Sequence, residues 1–256
     1  MLNTSLNRTL SRCSLFPHHK NFTLISKPNL SLPRSVKFKT RQHVNPLKNT
    51  DYGQPSSPSS YCWSKHFPHM KEDDRVSILD IGCGHGKFLL ELSRMYPDHL
   101  LLGMEIRQKV AQFVDESIQA RRDTESKYFN VSVIWTNAMR YLRSYISEQQ
   151  LLKVFINFPD PYFKRRQFKR RFVNQKTVSD IADLLRKDGR IYTITDVKDL
   201  HDWNHSFMAK NPYLEPVSEE DLQQPDLEIL SLMKQTDEAL KGEIEKEMFI
   251  SVFQKI

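Results

Sequence analysis

Acidic residues are missing from the first fifty positions of this 256-residue chain, which nonetheless hold nine Lys or Arg. The rest carries 29 basic and 31 acidic residues, so the formal charge of +7 belongs to the leader and the body is close to neutral. A generally cationic coat is thereby excluded. Cysteine is scarce as well. Cys13, Cys62 and Cys83 stand far apart with no CxxC pair, which excludes a disulfide framework and points to a reducing compartment. No apolar run approaches the roughly 18 residues that a bilayer span needs, so a soluble chain without a membrane partner is expected. No G-x-S-x-G occurs, which leaves nucleophilic serine chemistry without a foundation. Glycine is rare too, and three of the seven fall within one pentapeptide.

What is present divides into three parts. Residues 1–36 form a Ser-, Asn- and Arg-rich leader, broken by Pro17, Pro28 and Pro33, that fits either an organelle targeting peptide or a disordered basic tail. Residues 37–75 are expected to be an amino-terminal arm and linker, with "PSSPSS" at 55–60 as its low-complexity patch. From Val76 onward, "VSILDIG", "HLLLGMEI", "VSVIWTNA", "LLKVFINF" and "RIYTITD" read as buried strands. Helices are expected between them at about 87–95, 107–122, 138–147 and 174–187, the last stopped by "KDG". Near-continuous apolar strands alternating with helices predict an α/β, doubly wound parallel sheet over 76–256. The closing "MFISVFQKI" predicts an antiparallel edge strand.

The first strand runs into Gly82-Cys83-Gly84-His85-Gly86, where glycines let the backbone turn and a ligand come close. Glu105, at the end of the second strand, is placed to accept hydrogen bonds from both hydroxyls of an adenosine ribose. A nicotinamide dinucleotide would call for G-x-G-x-x-G with its pyrophosphate on the helix terminus. The tighter G-x-G-x-G found here suits S-adenosylmethionine, which has no phosphate. A tight turn without ligand is the bland reading, and Glu105 at the right place argues against it. Cys83 has no base near it and reads as a packing residue. His201 and His205 share a helical face, but Asp202 stands where a zinc hydrolase needs Glu and no third ligand follows. A solvated face is expected there, with no metal.

The fourth strand ends in "NFPDPYFKRRQFKRR", in which six of the eight residues from Lys164 to Arg171 are basic. Ligands of open α/β sheets sit at the carboxyl ends of the strands, so Asp160 should face the cofactor, its direction fixed by the prolines beside it. The cations Lys164, Arg165, Arg166, Lys169, Arg170 and Arg171 follow closely enough to grip a nucleic-acid backbone. A solvated charged helix explains them poorly, because no acid interleaves to pair with them.

Taken together, "DIGCGHGKFLLELSRMYPD", "LGMEIR", "NAM", "FPDPYFKRR" and "YTITDVKDLHDW" resemble the tRNA (guanine-N7)-methyltransferases, eukaryotic type. "RQHVNPL" at 41–47 and "CWSKHFP" at 62–68 extend the resemblance upstream. It implies the Rossmann-like class I S-adenosylmethionine-dependent methyltransferase fold, and methyl transfer to N7 of a guanine in the tRNA variable loop (guanine 46 in the family). A WD-repeat non-catalytic subunit is the implied partner. The resemblance also implies Asp160 as the catalytic acid and Gly82, Gly84, Gly86, Glu105, Ile106 and Arg107 as cofactor contacts. Asn137 and Ala138 would flank the adenine. Asn157, which departs from the apolar residue usual there, is counted among the cofactor contacts, and Thr236 and Glu238 match a motif that closes over the site. Arg41 and His43 join the basic block as tRNA contacts. "ALKGEIEKE" departs from the family's more basic stretch after Glu238. Two rival classes are an amino-group nucleic-acid methyltransferase, whose proline pair "PDPY" lacks, and a non-catalytic RNA-binding subunit with a relic pocket. The family type implies the nucleus; the acid-free leader implies a chloroplast or mitochondrion.

Overall fold

The computed structural model describes residues 44–236, 239–240 and 247–256. Five parallel strands form the body: β1 (Val76–Ile81), β2 (Leu100–Glu105), β3 (Val131–Trp135), β4 (Leu151–Asn157) and β5 (Leu185–Thr195). Helices α1 (Lys87–Met95), α2 (Gln108–Glu125), α3 (Ala138–Tyr145) and α4 (Gln175–Leu184) connect them. After β5 come α5 (Lys198–Ala209), a short β6 (Leu214–Pro216), α6 (Gln224–Met233) and β7 (Phe249–Lys255). The sheet order is β3-β2-β1-β4-β5-β7-β6, with β7 antiparallel to both β5 and β6. The expected antiparallel edge is therefore a pair of strands.

Period-two alternation sends β1 side chains to opposite faces. Leu79 and Ile81 join the core beneath α3, α4 and α5, with Leu142, Ile181 and Met208. Ile78 joins the core beneath α1, α2 and α6, with Leu89, Val114 and Ile229. Each fully buried Leu or Ile of this kind stabilises the fold by about 1.5–3 kcal/mol. Local signals agree with the long-range ones. Asn174 and Thr177 form a capping box at the start of α4, and the Asn137 side chain accepts from Met139 N at 3.1 Å to cap α3.

Two expectations need correction. Helix α4 ends at Leu184, before the "KDG" signal, because Leu185 is fully buried in the ladder opposite Leu151. The "KDG" residues are a bulge inside β5: Asp188 lies at φ 63°, and the register slips between Leu151 and Lys153. Nor does the segment before Val76 behave as a linker. Phe67 is wholly buried, Tyr52 packs on Trp135 and Tyr141, and buried Arg122 donates to the His66 carbonyl at 2.8 Å. Pro58–Ser60, within the low-complexity patch, forms a 3-10 turn against α3.

Candidate functional site

A cavity of about 540 Å³ opens at the carboxyl ends of β1, β2, β4 and β5. Gly82 and Gly84 line it at φ 75° and 54°, values that L-residues with a Cβ seldom adopt. A Cβ placed on Gly82 would meet nothing within 4 Å, so this part of the loop presents bare backbone to open space. Gly86 is different and corrects the expectation made for it. It does not line the cavity; a Cβ there would lie 2.7 Å from Val114, so this glycine lets α1 pack on α2. Cys83 is buried beneath the loop against Gly103, and burial raises its thiol pKa well above the usual range. It is a packing residue.

Glu105 stands beside the loop, almost fully buried. Its Oε1 accepts from Arg107 N at 2.8 Å and Nε at 3.0 Å, and its Oε2 accepts from Arg107 Nη2 at 2.9 Å. Oε1 is thereby saturated, while Oε2 keeps one lone pair. The hydrogen bond to Glu105 raises the Arg107 pKa, with the charge of Asp160 contributing. Behind the loop lies Asp80, whose two buried oxygens have no hydrogen-bond partner. Burial and the charge of Glu105 push its pKa up to about 8. Sequence reading passed over Asp80, although a carboxylate in an apolar strand directly before a glycine loop is the signal that could have found it.

The loop after β4 is held in an unusual conformation. Phe158 and Tyr162 take φ 46° and 44°, framing Pro159-Asp160-Pro161 between two left-handed non-glycine residues. Each such residue costs on the order of 1 kcal/mol, offset by its surroundings. Phe158 N donates to Ile194 O at 2.9 Å, and Tyr162 Oη donates to Val44 O at 3.2 Å. Asp160 lines the cavity, as do Asn157, Ile106 and Ala138. Burial and the neighbouring Asp160 charge push the Tyr162 phenol up to about 12. Asn157 brings a buried Oδ1 with no partner. Asn137 also lines the cavity, with one donor and one acceptor position committed: besides capping α3, it donates to Pro46 O at 2.7 Å. Val44 and Pro46 thus form a wall that the strand motifs alone did not reveal.

The basic block divides. Lys164, Arg165, Arg166 and Lys169 are exposed on and beside a 3-10 helix (Arg165–Arg170). Arg170 turns to the cavity. Arg171 is buried, which corrects its expected phosphate-gripping role. Its guanidinium lies 3.8 Å from the Phe168 ring centre and 4.8 Å from that of Trp203, and its Nε donates to Pro161 O at 2.8 Å. The last cation braces the Asp160 loop from behind.

Thr236 does not reach the cavity; it lies past the end of α6, where its hydroxyl donates to Met233 O at 3.1 Å. Arg41, His43 and Glu238 lie outside the described residues. His201 and His205 pack on Phe249 and Phe253 of β7; His201 is half-buried, while Asp202 and His205 are exposed. Among the described residues no group of three or more His, Cys, Asp or Glu could hold a metal, and no helix is long and apolar enough to cross a membrane.

The residues fit S-adenosylmethionine. Bare glycine backbone, an adjacent carboxylate with a free acceptor position, apolar Ile106 and Ala138, and an unpartnered amide oxygen on Asn157 supply the complementary chemistry.

Comparison with known proteins points the same way. A family model described as a putative methyltransferase matches residues 74–247. The chain is 39% identical over 229 residues to the tRNA (guanine-N(7)-)-methyltransferase of Aedes aegypti, an alignment covering 88% of this chain and 92% of that one. The protein of the same name from Caenorhabditis elegans is 39% identical over 213 residues, covering 82% and 83% of the two chains. That of Arabidopsis thaliana is 41% identical over 207 residues, covering 78% and 82%. Among solved structures, the 16S rRNA methyltransferase KamB superposes with a TM-score of 0.51 at 13% identity, over 74% of this chain and 92% of that one. That likeness speaks for the fold.

Proposed function

The chain belongs to the tRNA (guanine-N7-)-methyltransferase family, and from that membership we propose that its cavity methylates guanine N7 in tRNA with S-adenosylmethionine as donor. One observation carries the reading: Asp160, the one acid of its loop, lines the cavity while exposed cations follow within four residues on the same loop.

S-adenosylmethionine supplies an electrophilic methyl group on sulfonium. The chain's residues have the remaining work. Gly82 and Gly84 offer backbone without side-chain obstruction, Oε2 of Glu105 offers an acceptor for a ribose hydroxyl, and Ile106 and Ala138 offer apolar contact for the adenine. Guanine N7 carries an in-plane lone pair and no proton, so no general base is required. Catalysis then rests on proximity and alignment. Methylation makes the purine cationic, and Asp160 counters that charge as it develops, directly or by holding a guanine N–H. The left-handed residues on both sides hold the carboxylate in place before substrate arrives. A labelled-methyl assay on total tRNA, followed by borohydride-aniline cleavage, tests the reading. Cleavage at the labelled guanine is expected; label that resists cleavage overturns it.

Three finer statements extend this reading. The target is guanine 46 of the variable loop, to be mapped by the position of that cleavage. The active form pairs with a WD-repeat subunit, as the family resemblance implies. Purified chain should be poorly active until that subunit is added, and full activity alone would exclude an obligate partnership. The chain works in the nucleus, with a chloroplast or mitochondrion as the alternative that a fluorescent fusion of residues 1–40 would reveal.

A further inference from the structure

Among the exposed large hydrophobic side chains of the described residues, Phe163 is the most open, at 72%. Both flanks of its backbone are fixed. On one side Tyr162 lines the cavity and is tied through its phenol to Val44 O. On the other, the 3-10 helix leads to Arg171, which is clamped between Phe168 and Trp203. The chain holds this ring in water on a rigid support, one residue beyond the cavity wall. Lys164, Arg165 and Arg166 follow it, all exposed, and no acid occurs anywhere from Pro161 to Arg171.

An apolar aromatic plane bordered by unopposed cations matches the two features of a nucleotide: a π-face to stack on and a phosphate to neutralise. A second protein with an apolar patch would not explain the cations, and an acidic peptide would not explain the ring. A guanine that reaches an enclosed cavity must leave its stack, which uncovers the face of its neighbour. We propose that Phe163 is a stacking platform for the nucleobase adjacent to the target guanine, taking the place in the stack that the guanine vacates. The proposal rests on the reading of the cavity as a tRNA methylation site. It assigns to the loop a third role, beside the acid that faces the base and the cations that face the backbone.

The test uses the full chain, with the WD-repeat subunit proposed above added, and tRNA carrying 2-aminopurine at either neighbour of the target. Binding to wild type should change the fluorescence at one of these positions. Phe163→Leu, which keeps an apolar side chain but removes the π-face, should abolish that change and raise the apparent KM for tRNA about tenfold. Its S-adenosylmethionine affinity and the salt dependence of its tRNA binding should stay as in wild type, because no phosphate contact is lost. Phe163→Trp should restore both KM and fluorescence. The proposal is overturned if Phe163→Leu matches wild type in KM and fluorescence, or if tryptophan fails to rescue. The underlying function fails differently: wild type would give the fluorescence change without methylating N7.

Discussion

Two buried carboxylates occupy opposite ends of this sheet and have opposite surroundings. Asp226, at the start of α6, is met by Lys153 Nζ at 3.3 Å, Arg190 Nη1 at 2.5 Å, the Tyr192 hydroxyl and the backbone N–H of Gln223 at 3.1 Å. Burial alone would raise its pKa, but those partners outweigh it and hold the acid below its usual range. Asp80, behind the glycine loop, has no hydrogen-bond partner, and its pKa is pushed up to about 8. A satisfied network locks α6 to β4 and β5 and has no capacity left for a ligand. An unsatisfied acid beside a cavity marks the end of the molecule built to receive something.

That contrast breaks most readily at the satisfied end. Asp226→Ala would strand the buried Lys153 and take one partner from the half-buried Arg190, and should destabilise the fold by about 3–5 kcal/mol, read as a lowered urea midpoint. A loss under 1 kcal/mol would show that the network is not structural. At the functional end, the decisive readouts are binding and rate. Glu105→Ala should weaken S-adenosylmethionine binding by about 1–3 kcal/mol in calorimetry, with the fold intact by circular dichroism. Unaltered affinity would remove Glu105 from the cofactor site. Asp160→Asn should slow single-turnover methyl transfer at least about tenfold, on the order of 1.4 kcal/mol, while filter binding of tRNA stays near wild type. Lost binding at an unchanged saturated rate would make Asp160 a docking residue.

A further prediction concerns Asp80 itself, read as a dependence on pH. A carboxyl whose pKa is raised on folding binds its proton more tightly in the native state. Its contribution is therefore complete below the ordinary carboxylate range and is lost as pH rises toward 8. The slope should be at most about 1.4 kcal/mol per pH unit, and Asp80→Asn should flatten it. Equal slopes for the two proteins would show that Asp80 ionises freely in the fold.

The strands and the functional loops could be read from the sequence because their signals are local. Apolar runs, the glycine pentapeptide and the proline-framed acid each lie within one short segment, and chain direction alone puts their ends on one side of the sheet. Other features were hidden because contact decides them. Nothing in "KRRQFKRR" says that Arg171 rather than Arg170 finds the gap between Phe168 and Trp203. Gly86 looks like its neighbours until Val114 is placed against it. Helix α6 buries only Asp226, Ile229 and Met233, too few apolar positions for its period to stand out.

The wall made by Val44 and Pro46 has a consequence for the order in which the chain is made. Its two clasps, Asn137 and Tyr162, lie 91 and 118 residues downstream. During synthesis this segment leaves the ribosome long before either clasp exists, and it must wait without its partners while the first four strands are made. Contacts of such long sequence separation form late, since the loop they close carries an entropic cost that only a nearly finished fold offsets. Trimming the protein to the sheet that begins at Val76 would keep every strand and remove one side of the cavity.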